Sequence, residues 1–158
     1  MTVFTTLQPD TRIHNAAACR VVSSVHVPAD ATRAWAVAGD FGGFQAFVPG
    51  MESTEVIGQG PGSVRHKRFK DGHVAIEQLN TRDDQARCMT WTLIHTSLPV
   101  GNLWAAMTVA AVDDQASMVT WTIVADPLPG AAQDLAAFEA FLQGFADTSM
   151  NNLRGLFG

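Results

Sequence analysis

Six stretches of alternating or β-branched character lie between residues 52 and 125, each parted from the next by a short connection, and one long amphipathic stretch follows them. That order leaves few folds open. The stretches cover residues 52–57, 63–69, 74–81, 87–94, 103–112 and 118–125. Their connections include Gly58-Gln59-Gly60-Pro61-Gly62, Lys70-Asp71-Gly72, Asp83-Asp84 and Asp113-Asp114. Gly and Asp tolerate the backbone angles that tight hairpins demand, so neighbouring strands are antiparallel and the spacing predicts a meander.

Upstream, Val21, Val22, Val25 and Val27 form a β-branched run that Pro28 ends, which predicts one further strand. Asp30 is placed to cap a helix running to Ala38, because its carboxylate can accept from free first-turn amides. Gly39-Asp40-Phe41-Gly42-Gly43 breaks that helix, and a second short helical turn carries Phe44 and Phe47. At the other end Leu135, Phe138, Phe141, Leu142, Phe145, Ser149, Asn152, Leu153 and Leu156 recur at helical steps. They predict one helix over residues 133–156 whose apolar stripe faces the sheet. Strands followed by a helix make an α+β fold. It has about seven strands in a curved antiparallel sheet, wrapped around the long C-terminal helix. Residues 1–19 show no sustained period and are expected to be a loosely ordered arm, leaving 20–158 as one domain.

Several segments carry a family likeness. They are Val27-Pro28-Ala29-Asp30-Ala31, Gly39-Asp40-Phe41-Gly42-Gly43, Gly62-Ser63-Val64-Arg65, Lys70-Asp71-Gly72, Ile76-Glu77-Gln78-Leu79 with Asp83-Asp84, and Leu98-Pro99-Val100-Gly101-Asn102. In this order the chain resembles the START-like, birch-pollen-allergen-like helix-grip superfamily. Within it the chain looks most like bacterial SRPBCC proteins of the polyketide cyclase/dehydrase type, and it is similar to plant abscisic-acid receptors. The resemblance covers about residues 20–157. It implies a cavity between the concave sheet and the last helix, gated by hairpin loops. Two departures bear on chemistry. The segment before Pro49 reads Gln45-Ala46-Phe47-Val48, without the Trp or His many relatives carry, and the chain has no Tyr.

Charge and composition narrow the partners. A net charge of −5 argues against a nucleic-acid footprint, which needs surplus Lys and Arg. The basic run Arg65-His66-Lys67-Arg68-Phe69-Lys70 is the local exception, read either as an exposed charged arm or as a grip for an anion. Cys19 and Cys88 make neither a disulfide framework nor a metal spacing, and the five His lack His-x-His or Glu-x-x-His spacing. No metal or cofactor is expected. No Gly-x-Ser-x-Gly elbow occurs, and the Gly58–Gly62 loop runs into a strand where a phosphate cradle would meet a helix N-terminus. No run of 18 apolar residues and no basic-then-apolar leader is seen, so no membrane span is expected and the expected compartment is the cytoplasm.

Strand alternation sorts the candidate ligand-binding residues. Thr90, Thr92, Thr108, Thr120 and Thr122 share the outward parity. Trp91, Leu93, Leu103, Met107, Trp121 and Ile123 therefore turn inward, towards core or cavity. Phe145 and Ser149 on the helix and Val100 in a loop complete the candidate ligand-binding set, within a cavity expected at ~300–1,000 Å³. Arg65, Lys67 and Phe69 share one parity, which the resemblance turns inward. Glu77 is the polar residue of most interest, since the matching family position faces the cavity. Alternation points the other way, because Val74 and Ile76 are the more apolar set. Both orientations stay open. An inward Glu77 should lie within reach of Arg65 or Lys67. His95 is expected at the cavity mouth.

Three functions fit these residues. The first is binding of a small hydrophobic or aromatic molecule. The second is a cyclase or dehydratase using Glu77 with Arg65 or His95 as acid–base groups, with no catalytic residue assigned. The third is an interaction module, with Trp104, Ala106 and Ala110 on the outer sheet face as a partner or homodimer patch.

Overall fold

A computed structural model describes residues 10–128 and 134–158. Strand β1 (Arg20–Val27) leads into helix α1 (Ala31–Ala38) and a single 3-10 turn (Phe44–Ala46). Then come β2 (Met51–Ile57), β3 (Val64–Phe69), β4 (Val74–Asp83), β5 (Cys88–Thr96), β6 (Leu103–Asp113), β7 (Ala116–Ala125) and helix α2 (Leu135–Gly155). The strands form one curved antiparallel sheet in the order β1-β7-β6-β5-β4-β3-β2. The predicted meander is thus present from β2 to β7, with β1 returned to its far edge. The chain has the helix-grip fold.

Turn chemistry sets the registers near the site. Gly72, at φ +92, closes the β3–β4 hairpin, and its pairing places Arg65 opposite Glu77 and Lys67 opposite Ala75. The next hairpin turns one step later than expected, since Asp83 is still in β4, and Asp83 Oδ1 accepts from the amides of Gln85 and Ala86.

Both helices begin at the expected kind of cap. Asp30 accepts from the Arg33 amide at 2.8 Å and Asp134 from the Ala137 amide at 2.9 Å. The predicted first residue of the long helix, Gln133, lies outside the described residues. Two side-chain bonds tie α2 to β1, Ser23 Oγ to Asp147 at 2.6 Å and Gln143 Nε2 to the Val22 carbonyl at 3.1 Å. A third, from Asn152 Nδ2 to the Phe47 carbonyl, joins it to the loop after the 3-10 turn. The buried stripe of α2 is Leu142, Ala146, Ser149, Met150 and Leu153. This corrects the predicted stripe, for Leu135, Phe141 and Leu156 are exposed. Small Ala146 and flexible Met150 fill the close approach to the sheet.

Residues 1–9 of the expected loose arm lie outside the described residues. Further on, the amides of His14 and Asn15 donate to the Asp126 carboxylate, and Cys19 is fully buried beside β7. Among the described residues no helix is long and apolar enough to cross a membrane.

Candidate functional site

A cavity of about 230 Å³ lies between the sheet and the first half of α2. It is smaller than the sequence led us to expect. The reason is a run of rings that fills the neighbouring space. Phe44 meets Trp91 edge-on at 5.6 Å, Trp91 meets Trp121 at 6.2 Å, and Trp121 meets Phe145 edge-on at 5.8 Å. Alternation places these side chains. Trp91 pairs with Ala105 and Ala105 with Ile123, all on the inner face, and small Ala105 leaves room for the two indoles to approach.

Of the residues singled out from the sequence, Lys67, Phe69, Glu77, Trp91, Leu93, Val100, Leu103, Trp121, Ile123 and Phe145 line this cavity. Four do not. Met107 is fully buried between Met89 and Trp121 in the sheet and belongs to the core. Ser149 is also fully buried, and its hydroxyl donates back to the Phe145 carbonyl at 2.8 Å. Arg65 sits behind the wall, under the aromatic rings. His95 is exposed and faces a shallow groove formed with Ile94, Gly101 and Asn102. The cause is a β-bulge: Glu77 pairs with Leu93 and Ile76 with His95, so Ile94 is an extra residue that breaks the alternation. Thr96 takes the cavity-facing place instead.

Sequence reasoning missed Pro49, Ala75, Thr96, Leu98, Phe141 and Leu142 in the lining. Ala75 could have been found, since it shares the parity of Glu77. Phe141 is half exposed and stands at the mouth.

The polar part of the wall is one cluster. Glu77 Oε1 lies 2.8 Å from Arg65 Nε and 2.9 Å from Lys67 Nζ, with all three side chains buried. The alternation of apolar residues in β4 therefore misdirects: Ala75, Glu77 and Leu79 are inward, while Val74 and Ile76 are half-buried. The exposed-ladder reading of Arg65 and Lys67 is overturned in the same way. Charges are tolerated at inward positions because each cation has the carboxylate within hydrogen-bonding reach.

Arg65 has further support. Its Nη1 donates to the Phe41 carbonyl at 2.8 Å, and its guanidinium lies 4.1 Å from the Phe41 ring, 4.2 Å from Phe44 and 4.8 Å from Trp91. These are cation–π distances. Burial lowers the Arg65 pKa, and Glu77 acts against that. Burial likewise lowers the Lys67 pKa, opposed by Glu77 and reinforced by the Arg65 charge. For Glu77 burial pushes the pKa up, but Lys67 and Arg65 outweigh it and hold the carboxyl below its ordinary value. The group is ionised at neutral pH.

Comparison with known proteins follows this geometry. An uncharacterized protein from Bacillus thuringiensis is 23% identical, with a TM-score of 0.78 over 88% of this chain and 98% of its own. A protein from Thermobifida fusca is 28% identical, with a TM-score of 0.73 over 88% of this chain and 93% of its own. The Zhui aromatase/cyclase from Streptomyces sp. R1128 is 18% identical, with a TM-score of 0.71 over 86% and 91%. No curated protein matches the sequence. The family described as polyketide cyclase / dehydrase and lipid transport matches residues 18–158, and the chain belongs to it.

Proposed function

We propose that this chain binds one small hydrophobic or aromatic molecule in the cavity between the sheet and α2. The observation that carries this reading is the wall itself. Trp91, Trp121, Phe145, Leu93 and Ile123 surround the space, and Lys67 with Glu77 supplies its charged spot. Apolar walls with few placed polar groups suit small-molecule sites. The family description, which names both cyclisation and lipid transport, agrees with a ligand of that kind.

The cyclase reading gains less support from the geometry. Glu77 is held ionised by two cations, so it has no proton to donate at neutral pH. His95 lies outside the cavity. As for the outer sheet face, Ala106 is buried and Trp104 half-buried, which leaves a smaller apolar patch there than expected.

The test is a titration with neutral and anionic one-ring compounds, read by tryptophan fluorescence and calorimetry. Saturable binding at one site is expected. Leu93→Trp, which fills the cavity, should abolish it while the protein stays folded. Absence of saturable binding across the panel, or binding that survives Leu93→Trp, would overturn the reading.

A further inference from the structure

The charged cluster of the cavity wall is unbalanced. Two cations, Arg65 and Lys67, converge on a single oxygen of one carboxylate, Glu77 Oε1. A further carboxylate acting on Arg65, that of Asp40, is solvent-exposed and does not line the cavity. Of the two cations, Lys67 lines the cavity and Arg65 does not. An ammonium has three protons to donate, and Glu77 is its acidic partner among the described residues. Leaving a buried cation short of partners is costly.

The unmet hydrogen-bonding needs nearby point the same way. Among the described residues, the buried side-chain nitrogens or oxygens without a partner are Arg65 Nη2 and Trp121 Nε1. Both are donors. Trp121 is also part of the cavity lining. The lining thus carries one unpartnered donor, on Trp121, and the positive charge of Lys67, with a second unpartnered donor, on Arg65, behind the wall.

We infer that the molecule bound here is an anion, a compact aromatic or branched aliphatic carboxylate whose oxygens meet Lys67. Its hydrocarbon body lies against Trp91, Trp121 and Phe145. This rests on the reading that the cavity binds a small molecule, and adds the chemical class. Size limits the class further. A cavity of ~150 Å³ holds benzene, so about 230 Å³ admits one ring with a short side chain.

Phenylacetate and phenylacetamide are the probes, because they share shape and differ in charge. Calorimetry at neutral pH should give wild-type affinity roughly tenfold or more higher for the carboxylate, the scale of one charge-assisted hydrogen bond. Lys67→Met should cost the carboxylate more affinity than the amide and bring the ratio close to one. That variant retains Arg65 and Glu77 as a balanced pair. Thermal unfolding of the wild-type protein gives a measurement that needs no variant: phenylacetate should raise Tm more than phenylacetamide at equal concentration. Equal affinity for the two probes, or a preference that persists in Lys67→Met, overturns the anion inference while cavity binding stands. Failure of both probes and of every other one-ring compound would overturn both.

Discussion

Arg65 and Phe41 are joined twice: the guanidinium donates from Nη1 to the Phe41 carbonyl at 2.8 Å and lies 4.1 Å from the centre of its ring. Phe41 sits in the loop after α1 and Arg65 on β3, so one side chain pins that loop to the sheet while it holds Glu77. A planar guanidinium can stack and donate sideways together, and an ammonium cannot. Arg65→Lys keeps the charge but loses that combination. We expect a stability loss of about 1–3 kcal/mol, the cost of leaving a buried polar partner unmet. Urea unfolding gives the measurement, and an unchanged midpoint would show that the geometry at Phe41 contributes nothing.

Glu77 is the shared acceptor, so its loss should be felt more. Glu77→Gln leaves two buried cations without a counter-charge, and removing one partner of a buried pair typically costs about 3–5 kcal/mol. The expected sequel is that Glu77→Gln with Lys67→Met is more stable than Glu77→Gln alone. A double-mutant cycle by chemical denaturation checks the coupling, and simple additivity of the two losses would refute it.

The inner faces of β5 as far as Leu93, and of β6 and β7, were legible because Thr90, Thr92, Thr108, Thr120 and Thr122 mark the outward parity there, leaving Trp91, Trp121 and Ile123 on the other side. The position of Glu77 was harder to read, since the branched residues Val74 and Ile76 sit on the outer face of β4. One signal was available. A β3–β4 hairpin turning at Asp71-Gly72 sets Arg65 opposite Glu77, and opposite charges at paired positions favour one shared face. His95 was not legible at all. A β-bulge at Ile94 depends on how β4 and β5 accommodate curvature, and no residue type in the segment announces it.

His95 accordingly gives a clean negative prediction. His95→Ala should leave ligand affinity within about twofold of wild type, as expected of a surface substitution. A large loss in calorimetric titration would mean that the groove beside Asn102 communicates with the cavity.

Gly144 interrupts the exposed side of α2, yet the helix runs unbroken from Leu135 to Gly155. An added Cβ there meets nothing within 4 Å. Gly144→Ala should therefore stabilise the protein by about 1 kcal/mol through helix propensity alone. Higher Tm with unchanged ligand affinity is the expected pair of readings. A lower Tm would reveal a contact that the open space around Gly144 does not allow.

The pH dependence of stability separates Lys67 from Glu77. Glu77 has a folded pKa below its unfolded value, so its contribution is present above the unfolded pKa and lost as pH falls through the folded one. Lys67 also titrates lower in the fold, for burial disfavours its charge. Between its folded pKa and the unfolded value of about 10.4, the unfolded chain binds more protons, and stability rises with pH. The thiols of buried Cys19 and half-buried Cys88 act oppositely, since desolvation raises them and the unfolded chain ionises first. They are common to wild type and Lys67→Met, so the difference between the two proteins isolates the lysine. Wild type should gain on Lys67→Met as pH rises through the alkaline range towards 10.4. Urea midpoints across pH 3–10 measure both limbs. A difference that stays flat above neutrality would mean that Lys67 keeps its proton as firmly in the fold as outside it, and that the surplus charge in the cavity wall carries no cost.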